Sequence, residues 1–165
     1  MTENEEIAVR LAHENDIDAI AWIYGESFGD TRPRDPVEQY LGLAGSWALL
    51  ATMGGPQAMT PAGFVLARTV LDETEIFSVG VLALYRRLGV GETLMEGTRR
   101  IAALGGARAI FLEVGADNPP AQALYAKSGY QIVGRRADYY KRDDGNCVDA
   151  MVMRLSLGNP DNCKP

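Results

Sequence analysis

Apolar positions along the chain follow two spacings, one typical of strands and one typical of helices. Residues 75–81 form a short run rich in β-formers and bounded by turn residues, which predicts a buried strand. Apolar residues recur at helical spacing from 90 to 104 and stop at Gly105-Gly106, which predicts a helix of about four turns. The same criteria predict, in chain order, a strand at 7–11, helices at 16–26 and 36–43, strands at 47–52, 62–69 and 75–81, a helix at 90–104, a strand ending at Glu113, a helix at 118–128, and strands at 130–133 and 148–155. This order predicts a mixed α/β sheet with helices on both faces.

A basic loop with two glycines, residues 86–91, joins the strand at 75–81 to the long helix. A helix N-terminus offers unpaired N–H groups and the positive end of the helix dipole. Glycine has no Cβ to keep an anion from the backbone, and Arg86 and Arg87 add positive charge. The lysine-containing spacing of a nucleotide-hydrolysing P-loop is absent. Two interpretations of the loop stay open at this point, a pyrophosphate site and a tight solvated connection.

A second motif, residues 109–130, predicts strand, loop, helix and strand in succession. Asn118 is a favoured helix N-cap and is followed by Pro119, which suits the first helical position. Tyr125 comes about two helical turns later, so that both side chains project to the same side. Glu113 follows an apolar run, where a partly desolvated carboxylate can work as a general base near neutral pH. The motif therefore predicts a base and a phenolic acid beside one site.

Each of these residues also has a purely structural interpretation. Asn118 can serve only as a helix cap, and Tyr125 can serve only as a packed core residue. Glu113 can be a solvated carboxylate at the end of its strand. In that case Glu75, on the neighbouring strand, is the alternative base.

Together the two motifs, Arg-x-x-Gly-x-Gly followed by Leu-Glu-Val, Asn, Ala-Leu-Tyr and Gly-Tyr, resemble the core of the Gcn5-related N-acetyltransferase (GNAT) superfamily. Residues 133–140 and 149–153 are similar to the ribosomal-protein alanine N-acetyltransferases of that superfamily, and the similarity covers residues 71–157. The resemblance implies a mixed, mostly antiparallel central sheet whose central strands splay to admit the pantetheine arm of acetyl-CoA. It also implies acetyl-CoA-dependent acetylation of a protein N-terminus, most closely the N-terminal alanine of a small-subunit ribosomal protein, by direct amine attack on the thioester.

The same resemblance implies roles by position. Glu113 is the proton acceptor for the attacking amine, and Tyr125 is the proton donor to the departing coenzyme A thiolate. Tyr139 and Tyr140 either line the peptide groove or only pack within a β-hairpin. The residues implied to bind the cofactor are Val79, Gly80 and Val81 through their backbone, Arg86, Arg87, Leu88, Gly89, Val90, Gly91 and Glu92 around the pyrophosphate, and Asn118.

Length and composition agree with one catalytic domain at residues 1–157, followed by a polar tail at 158–165 that is expected to be flexible. Cys147 and Cys163 lack metal-ligand spacing, so no metal is expected. The apolar runs are too short to span a membrane and the acidic start is unlike a secretory signal, which favours a cytoplasmic protein. A monomer is expected. A net charge of −6 disfavours nucleic acid as a partner and favours a basic peptide.

Two alternative functions stay open beside N-terminal acetylation. The first is an acetyltransferase of the same fold that acts on lysine side chains or small amines. The second is a non-catalytic module that only binds acyl-CoA. The presence of Glu113 and Tyr125 disfavours the second alternative, because a pure binding module needs neither a base nor an acid.

Overall fold

The computed structural model describes residues 5–55 and 57–158. The strands and helices in these ranges are β1 (Glu6–Leu11), α1 (Ile17–Phe28), α2 (Arg34–Leu41), β2 (Ser46–Gly55), β3 (Ala58–Val70), β4 (Glu73–Val81), α3 (Val90–Leu104), β5 (Ala109–Gly115), α4 (Pro119–Lys127), β6 (Gln131–Lys141) and β7 (Cys147–Ser156). Apart from Gly158, the predicted tail at 158–165 lies outside the described residues. None of these helices, in the part of the chain that the structure describes, is long and apolar enough to cross a membrane.

The strands form one sheet in the order β1-β2-β3-β4-β5-β7-β6. Neighbouring strands are antiparallel except β4 and β5, which run parallel. Glu73–Ile76 of β4 pairs with Ala109–Leu112 of β5, and within the described residues the pairing goes no further. Along its other edge β4 stays paired with β3 as far as Val81. The predicted mostly antiparallel sheet with splayed central strands is confirmed.

Side chains on the two faces of the sheet form two separate hydrophobic cores. The core under α3 and α4 contains Leu94, Ile110 and Leu112, while the core under α1 and α2 contains Ile20 and Phe64. Successive strand residues point to opposite faces, so Phe111 and Glu113 face away from the α3–α4 core that holds Leu112. Both residues are partly exposed. This face of β5 therefore carries the carboxylate of Glu113, outside the α3–α4 core.

Several predicted boundaries were wrong, and three of them have a clear physical reason. The strand expected to end at Glu113 continues to Gly115, because residues 113–115 pair with β7. The strand expected at 130–133 continues to Lys141, because it forms a long hairpin with β7. The helix expected at 36–43 runs from Arg34 to Leu41. It contains Pro36 within its first turn, where a missing N–H costs no intrahelical hydrogen bond.

Candidate active site

The free edge of β4 forms one side of the candidate site. Val79, Gly80 and Val81 lie beyond the last residue that pairs with β5, so within the described residues no strand covers this edge, and only the carbonyl of Val81 receives a hydrogen bond there, from Arg86. An extended amide chain such as pantetheine has the donors and acceptors to pair with the backbone groups of this edge. A Cβ on Gly80 would lie 2.5 Å from Cε1 of Phe64 and 2.9 Å from Oγ of Ser27, so only glycine fits at the centre of this stretch.

The loop that follows β4 turns sharply before α3. Arg87 and Gly89 adopt positive φ values of 61° and 92°. The Arg86 side chain is held at the strand end, since its Nε donates to the carbonyl of Val81 at 3.1 Å. The N–H of Thr93 donates to the carbonyl of Gly89 at 3.0 Å, so the N–H groups before Thr93 have no acceptor within the helix. The predicted order of strand, glycine loop and helix N-terminus is therefore confirmed, and the anion site remains a prediction.

Gly91 and Glu92, at the start of α3, also contact α4. A Cβ on Gly91 would lie 3.0 Å from Cδ2 of Leu124, so this glycine permits the close approach of α3 to α4. The carboxylate of Glu92 accepts a hydrogen bond from Nζ of Lys127 at 2.8 Å and is therefore directed towards α4. Leu88 is half exposed and Val90 is buried. A contribution of residues 88–92 to anion binding would thus come from the backbone.

The helix α4 follows β5 after a short turn. Asn118 is its N-cap, and its Oδ1 accepts a hydrogen bond from the N–H of Ala121 at 3.3 Å. The capping role is confirmed, and the amide nitrogen of the same side chain carries two donors for a ligand. Arg142, near the tip of the β6–β7 hairpin, donates to both carboxylate oxygens of Asp117 at 2.8 and 2.6 Å. This ion pair ties the hairpin to the segment that begins α4.

Tyr125 lies on α4 with its ring buried, and the centroid of the Tyr130 ring is 6.1 Å away. Burial, with a smaller contribution from Tyr140, raises the pKa of Tyr125 to about 12. A phenol with this pKa is protonated at neutral pH and can donate a proton. Core packing and proton donation are therefore compatible for this side chain.

Glu113 lies where the two central strands diverge. The last paired residues are Ile76 and Leu112, so Glu113 is the first β5 residue beyond the pairing. Its side chain borders a cleft of ≈ 560 Å³ that Glu75 and Arg136 also line. Glu75 pairs with Phe111, before the divergence and roughly 7 Å back along the sheet. Both candidate bases thus line one cleft, and Glu113 is nearer than Glu75 to the point where β4 and β5 separate.

Two tyrosines of β6 lie beside Glu113. The charge of Glu113 is the main cause that raises the pKa of Tyr139, followed by desolvation and by the hydrogen bond between the two side chains. Burial, and then the charge of Glu113, raises the pKa of Tyr140. Tyr140 in turn affects Tyr125 electrostatically. The structure therefore brings together the predicted base, the predicted acid and both predicted substrate-binding tyrosines.

A bulge in β6 sets the position of these tyrosines. The β6–β7 register shifts between Arg136 and Tyr140, and Asp138 has a positive φ of 50°. The carboxylate of Asp149, on β7, accepts a hydrogen bond from the N–H of Asp138 at 2.8 Å and pairs with the guanidinium of Arg135. The carboxylate of Asp149 thus stabilises the bulge.

Sequence reasoning missed two side chains of the site. Nε of Arg136 lies 2.9 Å from Oε1 of Glu113. Tyr40, on α2, stacks on Phe77 with ring centroids 4.8 Å apart, and it is close enough to Tyr140 to affect its titration. Arg136 belongs to a segment that the sequence singled out, but its direction depends on the bulge. Tyr40 belongs to a predicted helix that no local pattern connects with β6.

Comparison with known proteins supports the same fold and family. The sequence model of the Acetyltransferase (GNAT) family matches residues 17–130. The [ribosomal protein bS18]-alanine N-acetyltransferase of Escherichia coli (strain K12) is 35% identical over 96 residues, which are 58% of this chain and 64% of that protein, so the match spans less than two thirds of the relative's length.

Two crystal structures share the fold over nearly the whole chain. The ribosomal-protein-S18-alanine N-acetyltransferase from Escherichia coli superimposes with a TM-score of 0.81 at 24% identity, covering 97% of this chain and 99% of that one. Arabidopsis thaliana NAA60 in complex with acetyl-CoA gives a TM-score of 0.78 at 19% identity, covering 92% of this chain and 99% of that one. The family match, the splayed sheet and the glycine loop agree, and the chain belongs to the acetyltransferase (GNAT) family.

Proposed function

We propose that this chain is an acetyl-CoA-dependent N-alpha-acetyltransferase that acts on a protein N-terminus, most specifically the N-terminal alanine of a small-subunit ribosomal protein in the cytoplasm. The observation that carries the proposal is the position of Glu113, the first β5 residue beyond the point where β4 and β5 separate. A general base there lies beside an open strand edge suited to an acyl carrier. The name of the Escherichia coli relative, a ribosomal-protein alanine N-acetyltransferase, supports the choice of acceptor.

In this proposal the acetyl-CoA lies along β4 and the N-terminus of α3. The backbone of residues 79–81 pairs with the pantetheine arm. The N–H groups that precede Thr93, with the side chains of Arg86 and Arg87, bind the pyrophosphate. The amide nitrogen of Asn118 donates to the cofactor while its oxygen caps α4. Two observations support these assignments. Beyond Ile76 the edge of β4 has no pairing with β5, and the first N–H groups of α3 have no acceptor within that helix.

The proposed reaction needs one proton acceptor and one proton donor. Glu113, directly or through water, takes a proton from the acceptor's α-ammonium group. The neutral nitrogen attacks the thioester carbonyl, a C–N bond forms and the C–S bond breaks, with no acyl-enzyme. Tyr125 gives its proton to the leaving thiolate, and its pKa of about 12 supports this role because the phenol is protonated before the reaction. The nitrogen then releases its second proton to water, and water returns a proton to Tyr125 after the thiolate has left. Tyr139 and Tyr140 hold the acceptor's backbone.

The decisive experiment measures coenzyme A release from acetyl-CoA with peptides that begin Ala-Arg. One peptide has a free α-amine, the second has a blocked α-amine, and a third is blocked and carries internal lysines. We expect turnover with the free α-amine alone. Turnover on the blocked lysine peptide would make the protein a lysine acetyltransferase. Tight acetyl-CoA binding without turnover on any amine would make it a binding module.

A pair of matched variants distinguishes the two candidate bases. Glu113→Gln and Glu75→Gln each remove one negative charge from the same cleft. We expect Glu113→Gln to lower kcat about a hundredfold, a typical loss for a general base, and Glu75→Gln to leave kcat within a few-fold of the wild type. The reverse order would assign the base to Glu75.

A further inference from the structure

The proposed base, Glu113, forms an ion pair with a cation of the chain itself, Arg136. Nε of Arg136 lies 2.9 Å from Oε1 of Glu113, and the exposed fractions of the two side chains are 57% and 21%. The guanidinium carbon of Arg136 lies 5.3 Å from the centroid of the Tyr139 ring. The charge of Glu113 is also the main cause that raises the pKa of Tyr139, which agrees with a position of this ring beside the carboxylate. A carboxylate and an aromatic ring thus form a small cation site that the guanidinium fills.

An acceptor amine arrives at this site as an ammonium group. A carboxylate and an aromatic face are the two features that bind an ammonium group in proteins. Two cations that share one partly desolvated carboxylate repel each other. The acceptor's ammonium group and Arg136 therefore compete for Glu113.

Arg136 is able to leave this position at small energetic cost. More than half of its side chain is exposed, and ion pairs of this kind contribute little to stability. Its backbone lies at the edge of the β6 bulge, where pairing with β7 is interrupted. The long arginine side chain can turn into solvent without any change in the sheet.

We infer that Arg136 is a specificity-determining residue that competes with the acceptor amine for Glu113 and leaves it when the acceptor binds. The inference rests on the proposed function in one respect, since it takes Glu113 as the residue that binds and deprotonates the acceptor amine. Amines that gain no further contacts cannot displace the guanidinium efficiently. A peptide that also contacts Tyr139 and Tyr140 can displace it. Arg136 thus biases the enzyme against small free amines.

The test compares the steady-state kinetics of Arg136→Gln with those of the wild type. We expect the KM for the acceptor peptide to fall about two- to five-fold, the range set by a partly exposed ion pair, with kcat unchanged. The fall should be larger for a small amine than for a peptide. A rise in KM or a loss of kcat would overturn the inference, because it would mean that Arg136 positions Glu113 for catalysis.

Two further variants serve as controls. Arg154→Gln removes one positive charge from the same face of the sheet. The guanidinium carbon of Arg154 lies 5.6 Å from the ring centroid of Phe111. This variant should leave the KM for the acceptor unchanged. Arg136→Lys keeps a cation and should show less than the full fall in KM. Thermal unfolding of each variant checks that the fold is retained.

Calorimetric titration of the peptide into the protein saturated with coenzyme A gives a readout independent of turnover. Arg136→Gln should tighten peptide binding in the wild-type background and have no effect in the Glu113→Gln background. Equal affinities of the wild type and Arg136→Gln would overturn the inference even if no amine were acetylated. If only lysine peptides turn over, the proposed N-terminal specificity fails while the effect of Arg136→Gln on KM persists.

Discussion

The carboxylate of Asp149 accepts a hydrogen bond from the backbone N–H of Asp138 at 2.8 Å, and this bond spans the bulge that carries Tyr139 and Tyr140. Asp138 has a φ of 50°, a value that residues other than glycine adopt at a cost in energy. The hydrogen bond with Asp149 offsets this cost. A single carboxylate on β7 therefore determines where two side chains of the proposed acceptor groove lie.

Replacing Asp149 with alanine should impair acceptor binding and spare cofactor binding. Without its acceptor oxygen the bulge relaxes and Tyr139 moves away from Glu113. We expect a several-fold rise in the KM for the acceptor peptide, with the Kd for acetyl-CoA unchanged in calorimetry. Asp149→Asn keeps one acceptor oxygen and should have a smaller effect. An unchanged KM in the alanine variant would show that the bulge does not depend on this hydrogen bond.

Replacing Tyr125 with phenylalanine should slow the chemical step. The variant removes the proposed proton donor, and general acids typically contribute about a hundredfold or more to the rate. Tyr130→Phe is the matched control, since Tyr130 is also buried and, among the described residues, its hydroxyl has no hydrogen-bond partner. That control should keep its kcat and should not lose stability. Rapid-quench measurement of a single turnover would separate the chemical step from product release, and an unchanged chemical rate in Tyr125→Phe would rule out the proposed acid.

Replacing Gly80 with alanine should destabilise the fold and weaken acetyl-CoA binding. The added Cβ would lie 2.5 Å from the fully buried Phe64 ring, so either strand β4 or the ring must shift. Overpacking of this kind costs about 1–3 kcal/mol in the free energy of unfolding. Gly134→Ala places a Cβ at 3.6 Å from Val152, an ordinary contact, and should leave stability and cofactor affinity nearly unchanged. Urea unfolding and acetyl-CoA titration of both variants check the prediction, and equal behaviour of the two would contradict it.

Lowering the pH should reduce the free energy of unfolding, because it protonates Asp16 in the connection between β1 and α1. The Arg10 side chain donates to both carboxylate oxygens of Asp16 at 2.6 and 2.9 Å, and the N–H of His13 adds a third hydrogen bond at 2.8 Å. These bonds hold the pKa of Asp16 at about 2, below its ordinary value of 3.8. Because the unfolded chain binds the proton at the higher pH, the contribution is complete above about pH 4 and is lost as the pH falls towards 2.

The measurement for Asp16 is the free energy of unfolding in urea at about pH 6 and about pH 3. The fall between the two pH values should be smaller in Asp16→Asn than in the wild type. Glu14→Gln removes an exposed carboxylate from the same turn and should preserve the wild-type difference. If the free energy of unfolding falls equally in the wild type and in Asp16→Asn, Asp16 does not contribute to the acid sensitivity.

Local signals in the sequence predicted the elements that frame the site. Gly106 ends the α3 region with a φ of 86°, and Asn118 caps α4 immediately before Pro119, as their residue types indicated. The strand that leads into the glycine loop was predicted for a similar reason, because its β-formers and its flanking turn residues lie next to one another in the chain. These features depend on a few neighbouring residues each.

Features that depend on distant pairing were not predicted. The Asp138 bulge requires Asp149 from the next strand, and the direction of Arg136 follows from that bulge. The contact of Gly91 with Leu124 joins two helices that are far apart in sequence. No local pattern encodes these relationships, so the contacts between the proposed catalytic residues and their neighbours became known only from the structure.

The short parallel pairing of β4 with β5 has a mechanical consequence. In the described residues the sheet consists of two antiparallel parts, β1 to β4 and β5 to β7. They are joined edge to edge along Glu73–Ile76 and, just before that segment, by a hydrogen bond from the N–H of Arg108 to the carbonyl of Asp72. A ligand that fills the gap replaces the missing strand contacts, and a ligand that binds only the folded protein stabilises it in proportion to the logarithm of its concentration. The cellular supply of acetyl-CoA would then set the resistance of this protein to heat and proteolysis as well as its rate of turnover.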